Sequence, residues 1–302
     1  MLIIITFIGF LMRVCDYINV VAAKFSAQPL SYGHGTDNPY DEALFLVYAK
    51  LNLDFNTEES AARSVSASEI NQIETLVRMR IINRTPVAYL VGRAWFAGRE
   101  YFCDSRALIP RSPIAELIQN EFAGVLDFAP QQILDLCCGG GCIGIAAAIQ
   151  YPHAQVDLVD ISEDALALSK KNIILHKLGS RVQTSHSNLF MEVSKKFDLI
   201  LANPPYVSSE ECDALPMEYG HEPRLGLVSE DEGLELPMSI LKDAERFLTE
   251  NGVLILEVGY SHLVLSERLK DIPLLWLEFG MGGEGVLAIR RAELVQYKAR
   301  FV

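Results

Sequence analysis

The chain is short of positive charge. Its 302 residues carry 26 Lys and Arg against 39 Asp and Glu, a formal net charge of −13. Proteins that coat DNA or RNA neutralise phosphates with Lys and Arg, so this balance argues against such a role. Cysteine is scarce, at six residues, too few for a disulfide scaffold at this length. Cys137, Cys138 and Cys142 cluster, but too closely and irregularly for paired CxxC zinc knuckles, and no metal is expected. This usage favours a reducing, cytoplasmic setting. A membrane-spanning run is lacking at the start, where the apolar stretch from Leu2 to Met12 has 11 residues, about half of what crosses a bilayer. The first basic residue, Arg13, follows that stretch, whereas a signal peptide carries its positive charge ahead of it. A packed first helix or a start at Met12 are the alternatives, and the chain is expected to stay soluble and active without residues 1–11. Internal repeats and low-complexity tracts are absent.

What is present is globular composition, 50% hydrophobic and 22% charged, in a length that suits one large domain or two ordinary ones. The texture divides near residue 105. Before it the patterns are helical: Asp41 to Leu51, then Ser66 and Glu69 in capping-box spacing followed by Ile70, Ile73, Val77 and Ile81. The helical reading stops near Thr85-Pro86. Trp95 to Leu108 reads as a hairpin turning at Ala97-Gly98 or Asp104-Ser105, and a helix is expected from Ile114 to Phe122.

From about residue 130, short apolar runs alternate with helical segments. The runs are 133–136, 156–160, 197–202 and 252–258, and the helices are near 142–150, 162–178 and 233–249. Buried-type strands alternating with helices indicate a parallel, doubly wound α/β sheet. Two further strands, 274–280 and 285–291, flank Met281 to Glu284 and form an antiparallel hairpin at the sheet edge.

Two strand ends carry chemistry. The first parallel strand runs through Asp135 into Cys137, Cys138, Gly139, Gly140 and Gly141, and a helix follows. Consecutive glycines let the backbone turn sharply and approach a ligand. The next strand ends at Asp160, 19 residues after Gly141, where a carboxylate can accept hydrogen bonds from ribose hydroxyls. No Arg or Lys in the loop awaits a phosphate, and Asp135 ahead of the glycines suits a cationic amine. S-adenosylmethionine has the amine, the ribose and no phosphate. A later strand ends in Asn203-Pro204-Pro205-Tyr206. The two prolines stiffen the turn and remove two N–H donors, leaving the Asn203 side-chain oxygen and the Pro204 carbonyl as acceptors and Tyr206 as an aromatic plate. This set suits a planar NH2 group. Holding both hydrogens aims the nitrogen lone pair at an electrophilic methyl.

The glycine loop, Asp160 and Asn203 to Tyr206 together resemble the Rossmann-like class I methyltransferases that act on NH2 groups. The block Tyr32 to Pro39 with Asp41-Glu42-Ala43, then Arg84 to Leu90, Ala94-Trp95-Phe96, Pro110 to Pro113, His221-Glu222-Pro223 and Trp276 to Phe279, is similar to the protein N5-glutamine methyltransferase family. Within it, the branch that acts on ribosomal protein L-three is the nearest in pattern, over roughly residues 30–295. Cys137, where the general motif has Gly, agrees with that branch, while Cys138 and Gly140 replace its usual Thr and Ser. Asn188 stands where the family has an acid near the adenine amine.

The resemblance implies S-adenosylmethionine as cofactor, held by Asp135, Cys137, Cys138, Gly139, Gly140, Gly141, Asp160, Ile161, Asn188, Leu189 and Asn203. It implies Asn203, Pro204, Pro205 and Tyr206 as the catalytic turn, and a glutamine side-chain amide of ribosomal protein L-three as acceptor. The implied organisation is an atypical extension (1–23), a helical domain (24–92), a β-hairpin linker (93–112) and the methyltransferase domain (113–302). Release-factor methylation, DNA or RNA amino-methylation and a silent cofactor-binding assembly factor are the alternatives. Nine acids between residues 207 and 235, opposed there by Arg224, are expected to line the entrance, repel phosphates and steer a basic protein substrate. Neither nucleic acid nor membrane is an expected partner.

Overall fold

A computed structural model of the chain describes residues 12–301. The chain divides between Arg93 and Ala94 into two compact units.

The first unit is helical: α1 (Val14–Ser26), α2 (Pro39–Leu51), α3 (Glu58–Ala62), α4 (Ala67–Asn83) and α5 (Val87–Val91). Asn38 caps α2 by accepting from the Asp41 N–H at 2.9 Å, and Pro39 opens it. Ser66 and Glu69 form the expected capping box of α4. The helix ends at Asn83, with Arg84 left-handed, and α5 follows directly after Pro86 where the sequence reading stops.

One feature corrects the sequence reading. Residues 14–23 are not an extension. Val14, Ile18, Val21 and Phe25 recur at helical spacing and are buried with α2 in the core of this unit. Residues 1–11 lie outside the described residues. The block after Tyr32 is architectural: buried Arg80 donates to Glu42 at 3.0 Å and to the Ser31 carbonyl at 2.7 Å, and sits 5.8 Å from the Tyr32 ring centroid.

The second unit opens with a two-stranded hairpin, β1 (Arg93–Phe96, beginning on the last residue of the first unit) and β2 (Arg99–Phe102), turning at Ala97-Gly98. Helix α6 (Ile114–Gln119) follows and is shorter than expected. The remaining elements in order are β3 (Gln132–Leu136), α7 (Cys142–Gln150), β4 (Gln155–Asp160), α8 (Glu163–Leu175), β5 (Val182–His186), β6 (Phe197–Ala202), α9 (Ser209–Ala214), α10 (Glu235–Asp243), β7 (Leu248–Glu257), α11 (His262–Arg268), β8 (Leu275–Trp276), β9 (Val286–Arg290) and α12 (Arg291–Gln296). The sheet has the order β5-β4-β3-β6-β7-β9-β8, parallel through β7 and antiparallel at β9 and β8.

Successive residues of each central strand enter opposite cores. Ile133, Leu199 and Leu201 pack on one face, and Leu134, Ile200 and Ala202 on the other. This accounts for the continuous apolar runs. Strand β5 reads VQTSH and was not among the expected runs. It is an edge strand with most side chains turned to solvent, so it carries little apolar signal. The expected long strand at 274–280 shrinks to two residues.

Candidate active site

The sheet register assembles the site. Leu136 of β3 lies beside Val159 of β4 and Ala202 of β6, and Ala202 lies beside Leu256 of β7. The next residue of each strand is therefore Cys137, Asp160, Asn203 and Glu257, side by side at the carboxyl edge. Strand order reverses between β3 and β6, the switch point at which open α/β sheets bind ligands. A cavity of about 540 Å³ opens there.

The cavity is lined by Cys137, Cys138, Gly139, Gly140, Asp160, Ile161, Asn188 and Leu189. The two Asp160 oxygens accept from the Gly139 N–H and the Ser162 N–H, each at 2.8 Å. Burial pushes this carboxyl up, and those N–H groups pull it back toward the ionised form. Asn172, on α8, ties the glycine loop to the hairpin. Its Nδ2 donates to the Gly140 carbonyl at 2.9 Å and the Phe102 carbonyl at 3.1 Å, and its Oδ1 accepts from the Phe102 N–H at 2.8 Å. The hairpin thus belongs to this unit rather than acting as a linker. Leu189 has φ of +46°, strained for a branched side chain, and Ser187 secures it by donating to its carbonyl at 2.8 Å. Burial pushes the Cys137, Cys138 and Cys142 thiols up, which favours their neutral form.

Two expected binding residues do not reach the cavity. Asp135 is fully buried behind it, accepting from the Gly144 N–H at 2.7 Å, while its Oδ1 has no partner among the described residues. Burial pushes its carboxyl up to about 7. Gly144 permits that approach, since a Cβ there would come within 2.8 Å of the Asp135 Cβ and 2.3 Å of Leu158. Gly141 is buried at the start of α7.

Asn203, Pro204, Pro205 and Tyr206 also line the cavity. The Asn203 amide has no hydrogen-bond partner among the described residues. Tyr206 is held at both ends: its hydroxyl donates to Glu257 at 3.0 Å and its carbonyl accepts from the Ser261 hydroxyl at 2.7 Å. Its ring lies against Gly259, where a Cβ would sit 2.5 Å from a ring carbon. Ser112 donates to the other Glu257 oxygen at 2.5 Å. Burial pushes the Glu257 carboxyl up, and these two donors act in the other direction. Arg111 forms a bidentate pair with Glu222 at 2.7 and 2.8 Å, and Glu222 also accepts from the Ile109 N–H at 2.9 Å.

The acidic segment differs from its expectation. None of the nine acids between 207 and 235 lines the cavity, whose acidic lining residues are Asp160 and Glu257. Glu218 and Glu222 are buried. Glu211 caps α9, Asp213 pairs with Arg224 at 2.7 Å, and Asp231 pairs with Arg268. Sequence reasoning overlooked Glu257, Asn172 and Tyr260. The one available signal was an acid at the end of the apolar run 252–258.

Both cations that line the cavity are already paired, Arg106 with Asp104 and Arg111 with Glu222. Residues 117–217 match a family profile described as "Methyltransferase small domain". Fold and site together define a class I methyltransferase of Rossmann-like α/β architecture. A methyltransferase structure from Pyrococcus furiosus is similar, with a TM-score of 0.46 and 16% identity, covering 75% of this chain and 99% of that one. Two curated relatives are much nearer. The ribosomal protein uL3 glutamine methyltransferase of Francisella tularensis subsp. tularensis is 43% identical over 290 residues, covering 95% of this chain and 92% of the relative. That of Xanthomonas campestris pv. campestris is 44% identical over 292 residues, covering 95% and 94%. The chain belongs to the ribosomal protein uL3 glutamine methyltransferase family.

Proposed function

We propose that the chain transfers a methyl group from S-adenosylmethionine to the side-chain amide nitrogen of a glutamine in ribosomal protein uL3. The observation that carries this reading is the unpartnered Asn203 amide on the cavity wall, in a chain over 40% identical to enzymes so named. The same names favour uL3 over a release factor.

The residues present fit the cofactor. A cavity of about 540 Å³ is within the range of small-molecule sites. Asp160, which already accepts two backbone N–H bonds, would hold the ribose hydroxyls. Ile161 and Leu189 supply apolar walls for the adenine and Asn188 an amide for its amine. When bound, the cofactor supplies an electrophilic sulfonium methyl.

The chain's own part is orientation. An amide nitrogen is a poor nucleophile because its lone pair is delocalised. Asn203 Oδ1 and the Pro204 carbonyl accept its two hydrogens, and the Tyr206 ring stacks on its face. Preorganised dipoles of this kind stabilise charge that develops only in the transition state.

The six cysteines are free, which supports a reducing, cytoplasmic location. No helix among the described residues is long and apolar enough to cross a membrane.

The test is transfer of a labelled methyl group from S-adenosylmethionine into purified uL3, with the modified residue mapped by mass spectrometry. Label on a glutamine amide is the expected result. No label on uL3, or label on another residue type, overturns the reading.

A further inference from the structure

Besides Ile161, two large apolar side chains that line the cavity are exposed to solvent. Tyr260 is 79% exposed and Leu225 is 60% exposed. Isolated exposed apolar residues are ordinary on protein surfaces. These two are different in how they are held.

Tyr260 lies in the tight turn Gly259–Ser261. Gly259 is in contact with the Tyr206 ring, and Ser261 donates to the Tyr206 carbonyl at 2.7 Å. The turn that presents Tyr260 is therefore fastened to the catalytic turn from both sides. Leu225 lies in the tight turn Arg224–Gly226. Just before it, Glu222 is clamped by Arg111 and by the Ile109 N–H, and the Arg111 guanidinium lies 5.4 Å from the Tyr219 ring centroid. Buried ionic and hydrogen-bonding contacts thus hold two apolar side chains out in water. Both side chains border the same cavity as Asn203. The acids of the segment 207–235 do not.

We infer that Tyr260 and Leu225 form an apolar rim that grips the residues flanking the acceptor glutamine, so that acceptor choice at this site rests on apolar contact. This rests on the function proposed above and specifies its substrate recognition. The occupant is the uL3 segment that carries the acceptor amide. It must pass this rim to bring the amide to Asn203, and the groups it meets there are a phenol ring and a branched alkyl chain. The flanking residues are accordingly small or apolar rather than basic. Burial of apolar surface is weakly sensitive to salt, whereas charge steering is screened within about 8 Å at physiological ionic strength.

The experiment uses the full chain, purified uL3 and labelled S-adenosylmethionine. KM for uL3 and kcat are measured at low and high salt for wild type, Tyr260→Ala, Leu225→Ala, the double variant and Tyr260→Phe. Cofactor affinity is measured separately by calorimetry. Each alanine variant should raise KM for uL3 by about tenfold, the scale of losing one buried large side chain. The increase should persist at high salt, with kcat and cofactor affinity nearly unchanged, and Tyr260→Phe should behave as wild type. Wild-type KM in the alanine variants, while wild type methylates uL3, overturns the rim. So does a KM defect that vanishes at high salt. No methylation by wild type overturns instead the assigned function on which the rim depends. Both side chains are exposed, so folding is not at stake, and circular dichroism of each variant checks this.

Discussion

The Tyr206 hydroxyl donates to the Glu257 carboxylate at 3.0 Å, linking the last residue of the Asn203–Tyr206 turn to the end of the neighbouring strand. Ser112 completes the contact from the other side. Glu257 is buried and accepts from two donors at once, so it fixes the position of the Tyr206 hydroxyl, while Gly259 lies against the ring.

Replacing Glu257 by Gln exchanges one acceptor oxygen for an NH2 donor, which faces a hydroxyl that must then turn away. Losing one such buried bond costs about 1–3 kcal/mol. Glu257→Gln should therefore lower kcat by about tenfold or more with little change in cofactor affinity. A kcat equal to wild type would show that the ring needs no such support.

In the proposed function Asn203 holds the acceptor amide. Asn203→Ala should lower turnover by about two orders of magnitude or more, as expected for a preorganised polar contact in the transition state. Cofactor affinity by calorimetry should be largely spared. Near-normal turnover would remove the assigned role.

In the proposed function Asp160 holds the cofactor ribose. Asp160→Ala should weaken S-adenosylmethionine binding by about 1.5–3 kcal/mol, the scale of a hydrogen bond to a charged group. Part of that loss includes the freed Gly139 and Ser162 N–H groups. Unchanged affinity would mean that the ribose lies elsewhere.

Asp135 sets a pH dependence of stability. Its carboxyl is pushed up to about 7 by burial, against about 3.9 in an unfolded chain. Between those values the folded state holds the extra proton, so this group makes wild-type stability fall as pH rises from about 4 to about 7. Asn does not titrate. The unfolding free energy of Asp135→Asn minus that of wild type should rise through this window and level off above it. Urea unfolding at intervals from about pH 5 to about pH 8 measures the difference. A flat difference would show that Asp135 is ionised throughout.

The Arg80–Glu42 pair bears on the first unit. Both side chains are almost wholly buried, and removing one partner leaves the other charge without its ion pair. Glu42→Ala should destabilise by on the order of 3–5 kcal/mol. Thermal unfolding followed by circular dichroism provides the check, and a loss under about 1 kcal/mol would show that the charge of Arg80 is satisfied without Glu42.

Much of this protein is determined locally by its sequence. The runs 133–136, 156–160 and 197–202 are strands because they are apolar on both faces, and both faces of the sheet are covered. The glycine loop, Asp160 and Asn203 to Tyr206 could be picked out because glycine, proline and strand-end acids act on the backbone within a few residues. Polar pairings across long separations left no such trace. Asn172 reaches Phe102, Glu222 reaches Arg111 and Glu257 reaches Ser112, over 70, 111 and 145 residues. Nothing in the neighbours of these residues distinguishes a buried partner from a solvated one. Tertiary structure also decided which acids have work: Asp135 turned behind the cavity, and Glu222 and Glu218 went into the interior. The acids expected at the entrance lie outside the cavity, where Tyr260 and Leu225 stand instead. Strand register made those choices. Once Leu136, Val159, Ala202 and Leu256 pair in one row, the residues that follow them share one edge, whatever their distance in sequence.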